Sequence, residues 1–233
     1  MISTLPVLTV VIFGFLWFLT VRLARMGKID STQKRWMAQL FVVLLIWGCV
    51  VATLSISGVF TTEWFVRSFP GYWLPFIPVV IALTLITFVA PLRDGIRTLV
   101  DETPDHWLTG IHLLRMLAIG TLVKASAGIF PVKFALYIGI PDLIFGLSAI
   151  PITLLILRGR MHDNLLILWN LVGAFVILMP LLGLMHILMR EILFTELFVF
   201  PMVLAPTLVV PTLVMMNLMV VWRLFEIKLI HRD

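Results

Sequence analysis

Charged residues and cysteine are both scarce in this chain of 233 residues. Only 12% of the residues are charged, Cys49 is the single cysteine, and no polar stretch is long enough to form a soluble domain. A soluble domain carries about 25% charged residues, so this chain has too few polar side chains to cover a water-soluble surface. The cysteine count excludes a disulfide framework, and the scarcity of charge excludes a disordered tail.

Apolar residues are abundant and fall into long runs. They make up 61% of the sequence, and the mean hydropathy is +1.13. A helix needs about 20 apolar residues to cross the bilayer core, and lipid gives the backbone no hydrogen-bond partners, so such runs are predicted to be helices. Seven runs qualify, at about 3–25, 38–60, 73–92, 107–130, 132–157, 164–187 and 200–225. The sequence therefore predicts an all-α fold, a single transmembrane domain over residues 1–233 built as a seven-helix bundle. Residues 93–102 suit an amphipathic helix in the interface, although such a segment is usually only a connector.

The basic residues are distributed unevenly between the connections. Twelve of the 17 Lys and Arg lie on alternate connections and the C-terminal tail: Arg22, Arg25, Lys28, Lys34, Arg35, Arg93, Arg97, Arg158, Arg160, Arg223, Lys228 and Arg232. Cytoplasmic connections carry the excess of Lys and Arg, so the N-terminus is predicted to be outside and the C-terminus cytoplasmic. Each such residue attracts anionic lipid by about 1 kcal/mol. The net charge of +5 therefore predicts anionic lipid at the cytoplasmic face as a partner, and no nucleic acid.

Six charged, histidine or asparagine residues lie away from the ends of the predicted spans, where they are expensive. An ionised side chain near the bilayer centre costs about 2.5–3.5 kcal/mol, so it is expected to face the bundle interior and to have a partner. The six, interpreted as ligand- or ion-binding residues, are His112, Arg115, Lys124, Asp142, Asn170 and Asn217. The same residues also suit hydrogen bonds between helices that only hold the bundle together. Both interpretations stay open on the sequence.

Depth along the helices predicts which of these residues meet. At a rise of about 1.5 Å per residue, Lys124 lies about 25 Å and Asp142 about 22 Å from the cytoplasmic ends of their spans, so they are the expected ion pair. Arg115 lies about 10 Å away along the membrane normal, and a pair with Asp142 needs a long reach or a water. One polar layer in the cytoplasmic half is predicted to contain His112, Arg115, Asn170 and Asn217.

Gly139 and Pro141 interrupt the fifth predicted span just before Asp142. Proline removes one backbone hydrogen bond and bends a helix, so these two residues are candidate hinge residues. Membrane transporters use broken helices of this kind to expose backbone carbonyls to a cation or to water. Proline kinks are also common in inert membrane helices, so a structural role stays open as well.

Cofactor and enzyme chemistry has little support in the sequence. The span 200–225 has no lysine for a retinal Schiff base, and His112 and His186 lie roughly 25 Å apart along the membrane normal, too far to share one haem. Met185, His186 and Met189 suit Cu(I) only weakly, because methionine is also a common gap-filler in apolar helices. No HExxH, GxSxG, Walker or paired CxxC pattern occurs. An enzyme is not expected, no other metal site is predicted, and the cofactor is unknown.

Several short motifs in the second half of the chain resemble a known group of sequences. They are Ile111-His112-Leu113-Leu114-Arg115, Phe130-Pro131, Phe134-Ala135, Gly139-Ile140-Pro141-Asp142, and Trp169-Asn170 followed by Gly173. With the proline-spaced last helix, they resemble an uncharacterised family of small bacterial inner-membrane proteins with about seven spans. Those proteins often carry a further acid after Trp-Asn-x-x-Gly, where this chain has Ala174-Phe175-Val176. The resemblance covers predicted spans four to seven and implies a multi-pass protein of the bacterial inner membrane, but it implies no activity.

Three functions are compatible with a buried polar centre in such a bundle. The leading hypothesis is a transporter-like protein, or one that binds a small ligand or ion, in which Arg115 binds an anionic group or balances Asp142, and Asp142 carries a cation or a proton. The alternative is a non-catalytic accessory subunit of a larger membrane complex, whose polar residues only fix helix packing. The third is a cofactor-associated redox subunit, which the histidine depths disfavour. A homo-oligomer or a larger membrane complex is the expected assembly.

Overall fold

The computed structural model describes residues 4–67, 74–179 and 195–230, and the regular structure in these ranges is helical throughout. Within these ranges the main helices are α1 (Leu5–Arg25), α2 (Ser31–Ile56), α3 (Leu74–Phe88), α4 (Ala90–Glu102), α5 (Asp105–Ser126), α6 (Val132–Leu157), α7 (Asp163–Met179) and α8 (Ala205–Ile230). Short helical turns lie at Val59–Thr61, Glu63–Arg67 and Thr195–Phe198. The predicted all-α fold class is confirmed for these residues.

The chain divides into two compact units. The first contains Met1–Thr103 and Leu197–Thr212, and the second contains Pro104–Glu196 and Leu213–Asp233. The division falls within α8, whose residues 205–212 belong to the first unit and 213–230 to the second. Helices α1–α4 therefore belong to the first unit, and α5–α7 belong to the second.

The turn between α1 and α2 has clear local causes. Gly27 lies at φ 68°, a left-handed conformation that glycine adopts without strain. Asp30 then caps α2: its side chain accepts a hydrogen bond from Gln33 N at 2.8 Å, and the Gln33 side chain accepts one from Asp30 N at 3.0 Å. This capping box satisfies amides that a helix start leaves free, and it fixes where α2 begins.

Helices α3 and α4 meet at a bend of 104°. Pro91 lacks the N–H that would donate to the Thr87 carbonyl, so α3 cannot continue as a regular helix. The Arg93 guanidinium donates to that carbonyl at 3.1 Å instead. After the bend, one face of α4 is buried through Leu92, Ile96 and Leu99. The structure therefore confirms an amphipathic helix over 93–102, and the third predicted span, 73–92, ends early, where α3 does.

Helices α5 and α6 form a hairpin in the second unit. Its turn contains Gly128 at φ 70° and Pro131, and the two helices approach closely at Gly146. A Cβ atom at position 146 would lie 2.8 Å from Met116 N and 3.0 Å from the carbonyl carbon of Arg115. Small residues let membrane helices pack this closely, and that packing replaces the hydrophobic force that lipid does not supply.

Both α6 and α8 contain a π-turn whose last residue lies two positions before a proline. The turns are Ala135–Gly139, before Pro141, and Ala205–Val209, before Pro211. A π-turn widens the helix by one residue, which relieves the clash between proline and the carbonyl four residues earlier. In α8 that carbonyl belongs to Thr207, and Trp47 Nε1 donates to it at 3.0 Å. The carbonyl that Pro211 leaves free is thus satisfied by a side chain, as it is at Pro91.

Each of the seven predicted spans overlaps one of these helices in the described ranges, but the count of seven membrane spans is not supported. Five of those helices, α1, α2, α5, α6 and α8, are long and apolar enough to cross a membrane, and the number is six if α3 and α4 together make one bent span. Helix α7 is described over 17 residues, so the predicted span 164–187 extends beyond the described residues. The chain therefore has several membrane-length apolar helices, as an integral membrane protein requires.

Candidate functional site

Arg115 on α5 and Asp142 on α6 form a buried ion pair in the second unit. Arg115 Nε donates to Asp142 Oδ1 at 2.5 Å. The Arg115 side chain is fully buried, and the Asp142 side chain is 17% exposed. A charge-assisted hydrogen bond is stronger than a neutral one, and it keeps both charges compensated where an unpaired charge is expensive.

The predicted ion pair between Lys124 and Asp142 is wrong. Lys124 is half-buried, and its ammonium group lies 5.9 Å from the centre of the Phe130 ring. Asp142 is instead paired with Arg115, the alternative for which the depth estimate required a long reach or a water. Lys124 is therefore removed from the candidate site.

The register of the α5–α6 hairpin explains why Asp142 pairs with Arg115 and not with Lys124. The depth estimate started from the far ends of the two spans and assumed one uniform rise, whereas the connecting turn sets the register of a hairpin. Counted from the turn, Arg115 lies eleven residues before Ser126 and Asp142 lies ten residues after Val132, so the two reach the same level. The 3₁₀ stretch Ile111–Ala118 adds to the error, because its rise is about 2.0 Å per residue.

Arg115 makes two further contacts in the centre. Its Nη1 donates to the Gly173 carbonyl at 3.0 Å, and its guanidinium carbon lies 4.2 Å from the centre of the Phe145 ring. The second contact is a cation–π interaction, which is stronger away from water. Gly173 has no room for a side chain, because a Cβ atom would meet the Phe145 ring and lie 2.8 Å from Asn217 Nδ2. Gly173 therefore brings Arg115, Phe145 and Asn217 together.

Three rings line one side of this centre. Phe145 and Trp169 stack with ring centres 4.5 Å apart, and His112 meets them edge-on at 5.9 and 5.5 Å. Trp169 Nε1 donates to Ser148 Oγ at 2.9 Å, so the polar atom of that ring is satisfied. Phe145 on α6 and Trp169 on α7 thus form an apolar surface beside the guanidinium group of Arg115.

Several buried polar atoms of the centre have no hydrogen-bond partner within the described part of the chain. They are Arg115 Nη2, His112 Nδ1, and both Nδ2 and Oδ1 of Asn217. The three residues are at most 2% exposed. Burying such an atom without a partner costs about 1–3 kcal/mol, and folded proteins pair nearly all of them with protein or ordered water. The centre therefore has hydrogen-bonding capacity that the surrounding described residues do not use.

The structure brings together only part of the predicted polar layer. His112, Arg115 and Asn217 surround Gly173 and Phe145, as described above. Asn170 is also buried, at 3% exposure, but its Nδ2 donates to the Leu166 carbonyl of its own helix at 2.9 Å. That bond satisfies the donor locally, as a packing residue requires. A binding role for the four residues stays a prediction.

Sequence reasoning missed two contributors to this centre. Phe145 lies three residues after Asp142, so both residues share one face of α6. Gly173 lies four residues after Trp169 on α7, which places these two on one face as well. Helical spacing from Asp142 and Trp169 is the signal that finds both residues. The bond from Arg115 to the Gly173 carbonyl has no such signal, because every residue carries a carbonyl.

Gly139 and Pro141 lie at the predicted interruption of α6, where the structure has the π-turn Ala135–Gly139. Gly139 also packs against α5, since a Cβ atom at this position would meet Thr121 Oγ1. Close packing is thus sufficient to explain glycine here. A hinge role for Gly139 and Pro141 stays a prediction.

The weak copper candidate, formed by Met185, His186 and Met189, lies outside the described residues. His186 lies outside them as well, so the distance between His112 and His186, which bears on a shared haem, is not described. In the part of the chain that the structure describes, no three His, Cys, Asp or Glu side chains are grouped so as to hold a metal ion. The cofactor stays unknown.

The fold and the buried pair define a class, a helical membrane protein with an ionic centre between α5 and α6. The chain belongs to the family described as "Domain of unknown function (DUF8737)", whose model matches residues 69–225. The match includes the ion pair, the three rings and Asn217. No curated protein and no solved structure matches the chain. The description of this family assigns no activity.

Proposed function

We propose that this chain is a seven-span, transporter-like membrane protein that binds a small polar or ionic solute at the Arg115–Asp142 centre. The proposal places it in a bacterial inner membrane, with the N-terminus outside and basic connections against anionic lipid at the cytoplasmic face. It is not an enzyme in this proposal, because the centre holds charges and hydrogen-bond donors without a nucleophile and base in contact.

The observation that carries the proposal is the unused hydrogen-bonding capacity around a buried ion pair. An ion pair that only fixes packing is replaceable by apolar residues without loss of stability, so a buried pair is weak evidence for a purely structural role. Here the pair also has neighbours with unpaired atoms, on Arg115, His112 and Asn217. A polar solute that accepts and donates hydrogen bonds would satisfy these atoms.

The accessory-subunit alternative predicts a different centre. A subunit whose polar residues only hold helices together should have a dry core in which every polar group is paired. The unpaired atoms of His112, Arg115 and Asn217 favour the solute-binding proposal over this alternative. Both proposals predict an assembly with other chains or copies equally well, so oligomeric state does not separate them.

The orientation is tested with single cysteines in a chain whose Cys49 is replaced by alanine. Met26 follows α1 and Trp64 lies in the connection after α2, and both side chains are exposed. We expect Trp64→Cys to react with a membrane-impermeant maleimide in intact cells, and Met26→Cys to react only after the membrane is opened. Each variant is the control for the other, and the reverse pattern would place the N-terminus inside.

The binding proposal is tested by replacing Arg115 with lysine, which keeps the charge but removes the planar set of donors. A solute present at about 100 times its Kd stabilises the folded chain by about 2.7 kcal/mol. We therefore expect a screen of small anionic, cationic and neutral solutes to raise the melting temperature of the wild-type chain in detergent. Arg115→Lys should lose that rise, and it should also lose uptake of the same solute into liposomes.

Lys124→Gln is the matched control for this test, because it removes a positive charge from the same helix at a half-buried position away from the pair. It should retain both the stabilisation and the uptake. The proposal fails if no solute stabilises the wild-type chain, or if Arg115→Lys retains the full effect. In that case the accessory-subunit alternative takes its place.

A further inference from the structure

The unpaired atoms in the centre indicate what kind of solute would fit it. Arg115 Nη2 and Asn217 Nδ2 are hydrogen-bond donors, and Asn217 Oδ1 is an acceptor. His112 Nδ1 is either a donor or an acceptor, depending on its tautomer. Donors therefore predominate, and the best-matched solute presents acceptor oxygens to Arg115 and Asn217.

The geometry of the Arg115 guanidinium group further restricts which solutes fit the centre. Nε and Nη2 lie along one edge of the guanidinium, which matches the two oxygens of a carboxylate. Asp142 accepts only from Nε, so Nη2 on that same edge is unused. The Phe145 ring covers one face of the guanidinium at 4.2 Å, so a second acceptor has to approach along the edge. A small planar carboxylate satisfies these restrictions.

Charge balance then decides how such an anion can bind. The free centre is neutral, because one guanidinium is paired with one carboxylate. A second carboxylate would leave an uncompensated negative charge in the protein interior, which is strongly unfavourable. Neutrality is restored if Asp142 takes up a proton as the anion arrives. Asp142, which is 17% exposed, is also the member of the pair that a proton can reach.

We propose that the centre binds a small monocarboxylate together with one proton, with the carboxylate on Arg115 and Asn217 and the proton on Asp142. The step breaks no covalent bond apart from the O–H bond of the proton donor in solution, and the new O–H bond forms on the Asp142 carboxylate. Net charge in the centre is zero before and after. This inference rests on the proposed function and names the solute class and the coupling for that same centre.

Other ionisable groups lie on α6 itself and on the elements that pack against it. In the described part of the second unit these are Asp105, His106, His112, Arg115, Lys124, Lys133, Tyr137 and Asp163. Among them, Arg115 is the group that hydrogen-bonds to Asp142. His112 lies in the same centre, against Phe145 and Trp169, so it is the rival proton acceptor that an experiment has to separate from Asp142.

The test is calorimetric titration of sodium formate into the full chain in detergent micelles, in two buffers with different ionisation enthalpies. The difference between the two buffers gives the number of protons taken up for each formate bound. We expect one proton per formate in the wild-type chain. We also expect the apparent Kd to rise about tenfold for each pH unit over the range where Asp142 is ionised in the free centre.

Asp142→Asn mimics the protonated carboxyl and should bind formate with no proton uptake and no pH dependence. Lys124→Gln should behave as the wild-type chain does. If Asp142→Asn does not fold, the two-buffer measurement on His112→Gln separates the two acceptors, because proton uptake on Asp142 should persist in that variant. Formamide is the neutral probe of the same shape, and it should bind more weakly than formate at low pH.

Three results would overturn the inference. Formate binding without proton uptake would remove the coupling, and proton uptake that persists in Asp142→Asn would move the proton to His112. The third result is that formate does not bind, while the thermal screen finds a neutral or cationic solute whose binding depends on Arg115. That result would contradict the proposed solute class, a monocarboxylate. Each of these leaves the proposed function standing, whereas failure of every solute in that screen removes both.

Discussion

Replacing Arg115 with leucine should lower the free energy of unfolding by about 3–5 kcal/mol, because it leaves the Asp142 carboxylate buried without a counter-charge. The change also removes the donor to the Gly173 carbonyl and the cation–π contact with Phe145. Chemical unfolding in mixed detergent micelles measures this loss. The expected effect is large because the Arg115 side chain has no exposed surface through which water could replace these contacts.

Two comparisons separate an uncompensated charge from a general packing defect. Lys124→Leu, on the same helix, should change the free energy of unfolding by at most about 0.5 kcal/mol. The double variant Arg115→Leu with Asp142→Leu should recover much of the lost stability, since no buried charge then stays unpaired. If the double variant is no more stable than Arg115→Leu, the ion pair is not the cause of the loss.

Adding one methyl group at Gly146 should also lower the stability, though by less than the loss of Arg115. A Cβ atom there would lie 2.8 Å from Met116 N and 3.0 Å from the carbonyl carbon of Arg115, and backbone atoms cannot rotate aside as a side chain can. Helices α5 and α6 would have to separate, so we expect Gly146→Ala to cost about 1–3 kcal/mol of stability. Asp142 lies one turn away on the same helix, so the separation should also weaken its bond to Arg115.

Gly120→Ala is the matched control on the other helix of the hairpin. Nothing lies within 4 Å of a Cβ atom at that position, so the added methyl group meets open space. Alanine is the better helix former by about 1 kcal/mol, and this variant should be neutral or slightly stabilised. Equal losses for the two variants, measured as melting temperatures in detergent, would show that close packing at Gly146 is not the reason for its glycine.

The sequence was sufficient for the class of fold and for the approximate positions of the helices. Long apolar runs can only be helical in lipid, so α1, α2, α5, α6 and α8 lie close to the predicted spans. The 104° bend after α3 was not predicted, although Pro91 marks its place, because the apolar run continues through the bend. Apolar length identifies a membrane helix but does not detect where that helix turns.

Three polar residues of the centre were predicted from the sequence to be buried, but their pairing was not predicted correctly. Because a polar or charged side chain is unfavourable in lipid, His112, Arg115 and Asp142 were expected to be buried, and they are buried or largely buried. The pairing depends on which end of a helix fixes the register, and a count from the far ends chose Lys124 instead of Arg115. The roles of Gly146 and Gly173 depend on contacts between helices, and a single sequence contains no measure of those distances.

The two π-turns have a consequence for the angular position of every residue beyond them. The π-turn Ala135–Gly139 holds one residue more than the α-turn that it replaces. Each residue beyond it therefore lies one position, about 100°, behind its place in an uninterrupted α-helix. Asp142 consequently occupies the angular position that an uninterrupted α-helix would give to residue 141. The same offset applies to Asn217 in α8, beyond Ala205–Val209. Asp142, which pairs with Arg115, and Asn217, which lies beside Gly173, therefore both follow a phase shift that their own chain introduces.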